Sequence, residues 1–210
     1  MPDLDLRKRL EKHFRFMGGA DNLPILATAM PRKAGGRKQL ALTMRDMGLT
    51  WAVEVGCRYG ASAQLWLETI PNLRLNCIDP YRAYHRVSQG RQDLIYAGAK
   101  ENADKFGFNL VRMTSLEAVD NYDDGTLDWV HIDGDHSFDA CVQDIIRWAP
   151  KVRKGGLVLV HDYCAFGLSG VIPAIDAYTH CHWIDPWYVT RDMEPTAFWQ
   201  RGAERAGLGS

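Results

Sequence analysis

Short apolar runs alternate with longer stretches that carry apolar residues on one helical face, from residue 51 to about residue 178. Valine, isoleucine and leucine dominate the short runs, which is typical of buried strands, whereas the longer stretches have the spacing of amphipathic helices. Strands that alternate with helices predict an α/β fold, a doubly wound and mostly parallel sheet with helices on both faces. The predicted strands are residues 51–55, 73–78, 109–113, 127–132 and 157–160; the helices are 61–70, 93–105, 138–152 and 170–178.

Both ends of the chain depart from this alternation. Two aromatic-rich runs, residues 182–190 and 195–201, are predicted to complete a seven-stranded sheet with an antiparallel C-terminal edge. At the N-terminus, apolar residues at helical spacing predict a helix over 3–17 and another over 37–47, with a loop from 23 to 36 punctuated by proline and glycine. We therefore expect a helical cap over residues 1–48 and one domain over residues 49–206.

Acidic residues recur where the predicted strands end: Glu54, Asp79, Asp133 and Asp162. In open α/β sheets the ligand crevice lies beyond the carboxyl ends of the strands, so this edge is the expected site. Glu54 lies inside its strand, and a buried carboxylate needs a donor, which the ammonium group of a ligand would supply. Gly56 and Gly60 follow directly, and they allow a tight turn that brings the backbone close to a ligand.

Charge and cysteine content limit the cellular compartment and the kinds of partner that the sequence predicts. The formal net charge is −1, although residues 1–38 hold nine Lys and Arg against four acids. We interpret this basic segment as a solvated face and a loop, with contact to an anionic partner as the alternative. The five cysteines form no CxxC pair, the start lacks the pattern of a signal peptide, and no stretch nears the roughly 18 apolar residues of a membrane span. We expect a soluble cytoplasmic protein that binds no membrane and whose partner is a small molecule rather than a nucleic acid.

With these residues in view, the chain resembles a class I S-adenosylmethionine-dependent methyltransferase, closest to the small-molecule (macrolide-sugar-like) O-methyltransferases. The likeness rests on four segments in order: Glu54 to Gly60, the acid Asp79, the segment from Asp133 to His136, and the segment from Gly155 to Tyr163. It implies a Rossmann-like methyltransferase fold, S-adenosylmethionine as the cofactor, and a small hydroxylated molecule or sugar as the methyl acceptor.

The resemblance also implies residue roles. Its cofactor set is the acid near the methionine ammonium, the turn glycines, the ribose acid, a serine in the adenine region and a carboxylate at the cofactor: Glu54, Gly56, Gly60, Asp79, Ser115 and Asp133. Ser62 has two interpretations, a ligand of the cofactor carboxylate or a cap of the following helix.

Beyond the cofactor, Asp133 and Asp162 are predicted to end adjacent strands, and related metal-dependent enzymes hold Mg²⁺ at these ends. His161 stands where such enzymes often carry an acid, so a polar cleft floor without a metal remains the alternative. His136 is the candidate general base, with Asp133 in the catalytic pair; capping of the helix that starts near residue 138 is the other interpretation of His136.

Three other functions are the alternatives for a chain with this predicted fold. A dinucleotide oxidoreductase would need GxGxxG, and Cys57, Arg58 and Tyr59 stand between the glycines instead. An RNA-modifying methyltransferase is an alternative because of the basic N-terminal segment. A non-catalytic or hydroxylase-like relative with the same fold is another, since fold alone does not fix function.

Overall fold

A computed structural model of the chain describes residues 3–19, 23–31, 33, 35–84, 87–166 and 169–202. Within these residues seven α-helices and nine strands are present. The helices are α1 Asp3–Leu10, α2 Gly36–Asp46, α3 Ala61–Thr69, α4 Gln89–Phe106, α5 Ser115–Val119, α6 Phe138–Trp148 and α7 Val171–Cys181. The strands are β1 Phe14–Gly18, β2 Ile25–Ala29, β3 Trp51–Val55, β4 Arg74–Ile78, β5 Asn109–Val111, β6 Leu127–Ile132, β7 Val152–Val160, β8 Trp187–Thr190 and β9 Ala197–Gln200.

The described strands form one mixed sheet in the order β1-β2-β8-β9-β7-β6-β3-β4-β5. Strands β7, β6, β3, β4 and β5 run parallel, and β9 is antiparallel to both of its neighbours. The predicted fold class and all seven predicted strands are confirmed. Helix α6 is shorter than predicted because a 3-10 turn, Ala149–Lys151, follows it and β7 already begins at Val152.

The N-terminal prediction is wrong in part. The predicted helix over 3–17 ends at Leu10, and its last residues belong instead to strand β1. Strand β1 pairs as an antiparallel hairpin with residues 25–29, which lie inside the predicted loop. Strand β2 then pairs in parallel with β8, so the predicted C-terminal edge lies inside the sheet. Phe14 packs on Phe198, with 6.5 Å between ring centroids, and this contact favours the strand over a longer helix. The segment is therefore not purely helical, while a domain boundary at 48 stays a prediction; residues 203–206 lie outside the described residues.

The two faces of the sheet have different helical layers. Helices α1, α2 and α3 cover one face around Leu40, Met44 and Trp66, and α6 and α7 cover the other around Ile145 and Ile175. Because side chains alternate along a strand, Val53 and Val55 face the α6 layer while Glu54 faces the α2 and α3 layer. The cleft predicted at the strand ends therefore has α2 and α3 on one side and α6 on the other.

Candidate functional site

The carboxyl ends of four parallel strands carry the predicted acids. Asp79 directly follows β4, Asp133 directly follows β6, and Asp162 lies two residues after the end of β7. Glu54 is the penultimate residue of β3. Strand β6 pairs with both β3 and β7, which confirms that Asp133 and Asp162 end adjacent strands. Backbone strain concentrates at the same edge. Of the described non-glycine residues with positive φ, Arg58, Tyr81 and Asp162 follow β3, β4 and β7, and such strain is a mark of functional sites.

The glycine turn after β3 is shaped by close neighbours in the chain. Gly56 has φ +88°, and a Cβ there would lie 2.5 Å from the carbonyl carbon of Asp133 and closer still to its oxygen. A Cβ on Gly60, at φ +81°, would lie 2.7 Å from the ring of Phe108. Backbone packing therefore requires both glycines, independently of the approach to a ligand for which they were predicted.

Glu54 already has its donors inside the protein. Its side chain is 1% exposed, its Oε1 lies 2.9 Å from Nδ1 of His131, and its Oε2 accepts from the thiol of Cys77 at 3.6 Å. His131 is fully buried and faces the ring of Trp66 edge-on at 5.5 Å. A ligand ammonium is thus not needed to satisfy this carboxylate, and the cofactor role of Glu54 stays a prediction that rests on the resemblance.

Asp79 faces the turn after β3. Its Oδ2 accepts from the backbone N–H of Arg58 at 2.9 Å, and its Oδ1 accepts from the N–H of Tyr81 at 3.0 Å. The Tyr81 hydroxyl donates to the carbonyl of Arg58 at 2.9 Å, which ties the two loops together. A carboxylate offers about four acceptor positions, so two remain for hydroxyl groups of a ligand.

Ser62 does not cap helix α3. The N-cap is Gly60, and no side chain caps this helix end. The Ser62 hydroxyl oxygen instead accepts from Nη1 of Arg37 at 3.0 Å. The capping interpretation of Ser62 is therefore wrong, and Arg37, which sequence reasoning placed in a solvated basic segment, belongs to the site.

Ser115 is engaged with helix α6. Its hydroxyl donates to Oδ1 of Asp144 and accepts from Nε1 of Trp148 at 2.7 Å. Thr114 caps α5 in a capping box with Glu117, so Ser115 is free of that task. The adenine role of Ser115 stays a prediction, and Asp144 is its closest partner in this structure.

The pKa of the buried Asp144 can be tested through the pH dependence of protein stability. Burial raises the pKa of Asp144 to about 6, against the smaller opposing effect of the Ser115 hydrogen bond. Because the unfolded chain releases this proton first, the stability that the group provides at low pH is lost as pH rises from about 4 to about 6. We expect Asp144→Asn to remove this loss, on the order of 2 kcal/mol, in urea unfolding between pH 4 and 7. Asp139→Asn, an exposed acid of the same helix, should leave the slope unchanged, and parallel curves for Asp144→Asn and the original protein would contradict the pKa.

The central feature is a cluster of acids and imidazoles between β6 and β7. Nε2 of His136 lies 3.5 Å from Oδ1 of Asp133 and 3.4 Å from Oδ2 of Asp162. Ligand atoms of these three residues all lie within 4.8 Å of one another. Nδ1 of His161 is 3.1 Å from Oδ1 of Asp162 and 3.4 Å from Oδ1 of Asp133. The capping interpretation of His136 is wrong, because Ser137 caps α6 through the N–H of Ala140.

The acids and imidazoles of this cluster shift each other's pKa so that each favours the charged form of the other. Burial alone would raise the pKa of Asp133, but His136 and His161 outweigh burial and hold it well below its usual range. Asp133 in turn raises the pKa of His136, against the effect of burial. Burial lowers the pKa of His161, yet the two acids prevail and raise it, with Arg37 opposing them. The cluster therefore attracts positive charge, whether that is a proton or a cation.

A separate groove of about 390 Å³ lies at the opposite end of the strands. Arg74 stacks over the ring of Trp51 there, 3.9 Å from its centroid, and the Asn76 amide donates to the Tyr122 hydroxyl at 2.7 Å. These polar groups bind each other, and the acids of the strand ends do not line this groove. The candidate site is therefore the carboxyl-end cluster.

A family model described as a methyltransferase domain matches residues 53–163, more than half of the chain. The chain belongs to this methyltransferase domain family. The matched region contains the glycine turn, Asp79 and the Asp133–Asp162 cluster, and it confirms the family predicted from the motifs.

One curated protein and several solved structures are similar to this chain. The uncharacterized protein y4gI of Sinorhizobium fredii is 27% identical over 115 residues, which are 52% of this chain and 13% of that relative. An O-methyltransferase of Bacillus cereus in complex with SAH has a TM-score of 0.58 at 12% identity, over 93% of this chain and 90% of that one. An SAH-bound methyltransferase of Podospora anserina has a TM-score of 0.57 at 15% identity, over 93% and 94%. At these identities the structures show a shared fold.

In the part of the chain that the structure describes, no helix is both long and apolar enough to cross a membrane.

Proposed function

We propose that the protein is an S-adenosylmethionine-dependent methyltransferase that methylates a hydroxyl oxygen of a small molecule. The observation that carries the proposal is the convergence of Asp133, His136 and Asp162 within 4.8 Å, beside the glycine turn of a methyltransferase domain. A hydroxyl oxygen becomes a good nucleophile only as its proton leaves, and this cluster is built to receive a proton or to hold a cation.

Two side chains have contacts that fit the proposed cofactor. Asp79 has acceptor positions left for ribose hydroxyls, and Ser62 lies in the first turn of α3, where a helix favours an anion such as the methionine carboxylate. The similar proteins of Bacillus cereus and Podospora anserina hold SAH, the product form of the cofactor, which supports this assignment. The proposed set also contains Glu54, Gly56, Gly60, Ser115 and Asp133. The transfer itself is a displacement at carbon, so the protein chiefly aligns the two reactants.

The donor set also fits a divalent cation. Two carboxylates and one imidazole face a common point, and Nε2 of His136 is buried without a hydrogen bond of good geometry to any described residue. Asp133, Asp162 and His136 would hold the ion, which when bound supplies a Lewis acid that lowers the pKa of an acceptor hydroxyl. His161 is not part of this set, since Arg37 occupies its Nε2.

His136 has two roles that exclude each other. If its Nε2 binds a cation, that nitrogen cannot also take the proton of the acceptor. Without a cation, Nε2 takes the proton, and Asp133 and Asp162 stabilise the resulting imidazolium. Adding EDTA during transfer to a panel of hydroxylated compounds, followed by SAH release, separates the two roles. Loss of transfer assigns His136 to the cation, and unchanged transfer assigns it to the proton.

Cofactor binding tests the proposal first. We expect calorimetry to detect SAH binding, and we expect Asp79→Asn to weaken it about tenfold because the amide loses one acceptor and its charge. Asp93→Asn, which changes an exposed acid on α4, is the matched control and should bind SAH as the original protein does. No detectable heat from the unaltered protein would remove the proposed function. Equal affinity of both variants would instead misplace the ribose site.

The RNA alternative has less structural support. Several basic residues of the N-terminal segment are held by the protein itself: Arg7 pairs with Glu11, Lys38 donates to Thr69, and Arg37 reaches the cluster. Deletion of residues 1–38 would therefore remove Arg37 from the site and would not be a clean test of RNA binding. The non-catalytic or hydroxylase-like alternative predicts SAH binding or fold without methyl transfer to any compound of the panel.

A further inference from the structure

Arg37 connects two parts of the site from a helix outside the matched family region. It is the second residue of α2, and its side chain is 24% exposed. Nη1 donates to Ser62 Oγ at 3.0 Å, and Nη2 contacts Nε2 of His161 and lies 3.4 Å from Glu194 Oε2. One guanidinium therefore contacts both the proposed cofactor turn and the acid–imidazole cluster.

The start of α2 is fixed from the connection between β8 and β9. Gly35 offers no capping side chain, and the N–H of Gly36 donates instead to Oδ2 of Asp192 at 2.6 Å. A Cβ on Gly36 would lie 2.5 Å from that oxygen and 2.6 Å from Cβ of Thr190, so glycine is required for the approach. Thr190 also donates to Oδ1 of Asp192 at 3.0 Å. The position of Arg37 is thus set by a built contact rather than by a free helix end.

A guanidinium only donates hydrogen bonds, so each of its partners must accept with an atom that carries no hydrogen directed at Arg37. The Ser62 oxygen must accept from Arg37, so its own hydrogen points to another acceptor. In neutral His161, Nε2 must be the acceptor, so the hydrogen is on Nδ1. This nitrogen lies 3.1 Å from Asp162 and 3.4 Å from Asp133, without a well-aligned hydrogen bond to any described residue. Both protons are therefore directed away from Arg37.

We propose that Arg37 is a positioning residue that directs the Ser62 hydroxyl toward the carboxylate of the cofactor and the Nδ1–H of His161 toward Asp133 and Asp162. The Ser62 part rests on the proposed function, and the His161 part rests on the cluster alone. The side-chain hydrogen bonds of Arg37 to described residues go to Ser62, His161 and Glu194 rather than to Asp133 or Asp162, so Arg37 acts on the two acids through His161. The N-terminal segment thereby becomes part of the active site.

A double-mutant cycle with SAH tests the Ser62 part. We expect Arg37→Ala and Ser62→Ala each to weaken SAH binding about tenfold, and the double variant to bind no more than about threefold weaker than either one, because both changes remove the same oriented hydroxyl. Arg45→Ala, on the same helix but paired with Asp46, should bind normally. A double variant weakened about a hundredfold would overturn the proposal, since independent contributions multiply.

The ring nitrogens of His161 test the other part without any ligand. With ¹⁵N-labelled histidine at about pH 9, above the ordinary imidazole pKa, we expect His161 to be protonated at Nδ1 alone, with its signals identified by their loss in His161→Gln. Arg37→Ala should mix the two tautomers, and Arg45→Ala should not. Arg37→Lys, which keeps one charge but cannot contact both partners, should weaken SAH binding less than Arg37→Ala and serves if the alanine variant is unstable. Protonation at Nε2 in the original protein, or an unchanged tautomer in both Arg37 variants, would overturn the proposal. Absence of SAH binding with the expected tautomers would overturn only the proposed function.

Discussion

Replacement of Gly56 by alanine is expected to cost more than about 4 kcal/mol of unfolding free energy, which is a large part of the roughly 5–15 kcal/mol of a typical domain. The added Cβ would overlap the carbonyl group of Asp133, and the backbone has φ +88° at this point. Neither backbone segment can move away easily, because each is held by a backbone hydrogen bond. The N–H of Gly56 donates to the carbonyl of Ile78, and the N–H of Asp133 donates to the carbonyl of Val55, both at 2.8 Å. Chemical denaturation of the purified variant measures the loss of unfolding free energy. If the variant does not fold, its absence from the soluble, folded protein shows the same effect.

Gly107→Ala separates the overlap from the backbone conformation. Gly107 has φ +85° at the C-terminal end of α4, and a Cβ there would meet no atom within 4 Å. Alanine at this position should cost only about 1–2 kcal/mol, the usual cost of a left-handed residue. Similar losses in the two variants would show that the contact between Gly56 and Asp133 does not exist in solution.

The central part of the fold could be predicted from the sequence because its signals are local. The runs that became β3, β4, β6 and β7 are apolar, β-branched and bounded by glycine or acid, and α6 has a cap at Ser137. The N-terminal hairpin could not be predicted in the same way. Phe14 and Met17 fit a helical spacing with Leu6 and Leu10, whereas the strand depends on pairing with residues 25–29 and, through β2, with β8. That pairing is not visible in a local pattern.

The acids of the site were predictable because strand ends meet at one edge, but their partners were not. Glu54 and His131 bond because they lie side by side in the register of β3 and β6, which no local pattern reveals. Arg37 is 124 positions from His161 and belongs to a segment that looked solvated. The glycines were found for a correct reason of backbone freedom, yet the atoms that exclude a side chain are those of Asp133 and Phe108. Sequence therefore located the site, and structure supplied its internal connections.

Asp133→Asn is expected to have the largest effect on the chemistry, because Asp133 is shared by both imidazoles of the cluster. Its carboxylate lies 3.5 Å from His136 and 3.4 Å from His161, and its hydrogen-bonding interaction with His136, followed by its charge, is the main reason that the pKa of His136 is raised. If a cation binds, we expect the variant to bind Mn²⁺ about 100-fold more weakly or not at all in a calorimetric titration, because an amide is a poorer ligand than a carboxylate.

If no cation binds, the same substitution acts through the proton. The pKa of His136 falls toward its ordinary value in Asp133→Asn, so the acidic limb of the transfer rate moves to lower pH, while the maximal rate drops by about 10²–10⁴-fold as the imidazolium loses its partner. Asp135→Asn is the matched control. It lies two positions away in the same loop, is exposed, and keeps an oxygen that can accept from the N–H of Ser137. Asp135 contributes less than Asp133 and Asp162 to the raised pKa of His136, so Asp135→Asn should leave Mn²⁺ binding unchanged and move the pH profile far less than Asp133→Asn does. Transfer by Asp133→Asn at the original rate and with the original pH profile would remove Asp133 from both mechanisms, because each mechanism requires its negative charge beside His136.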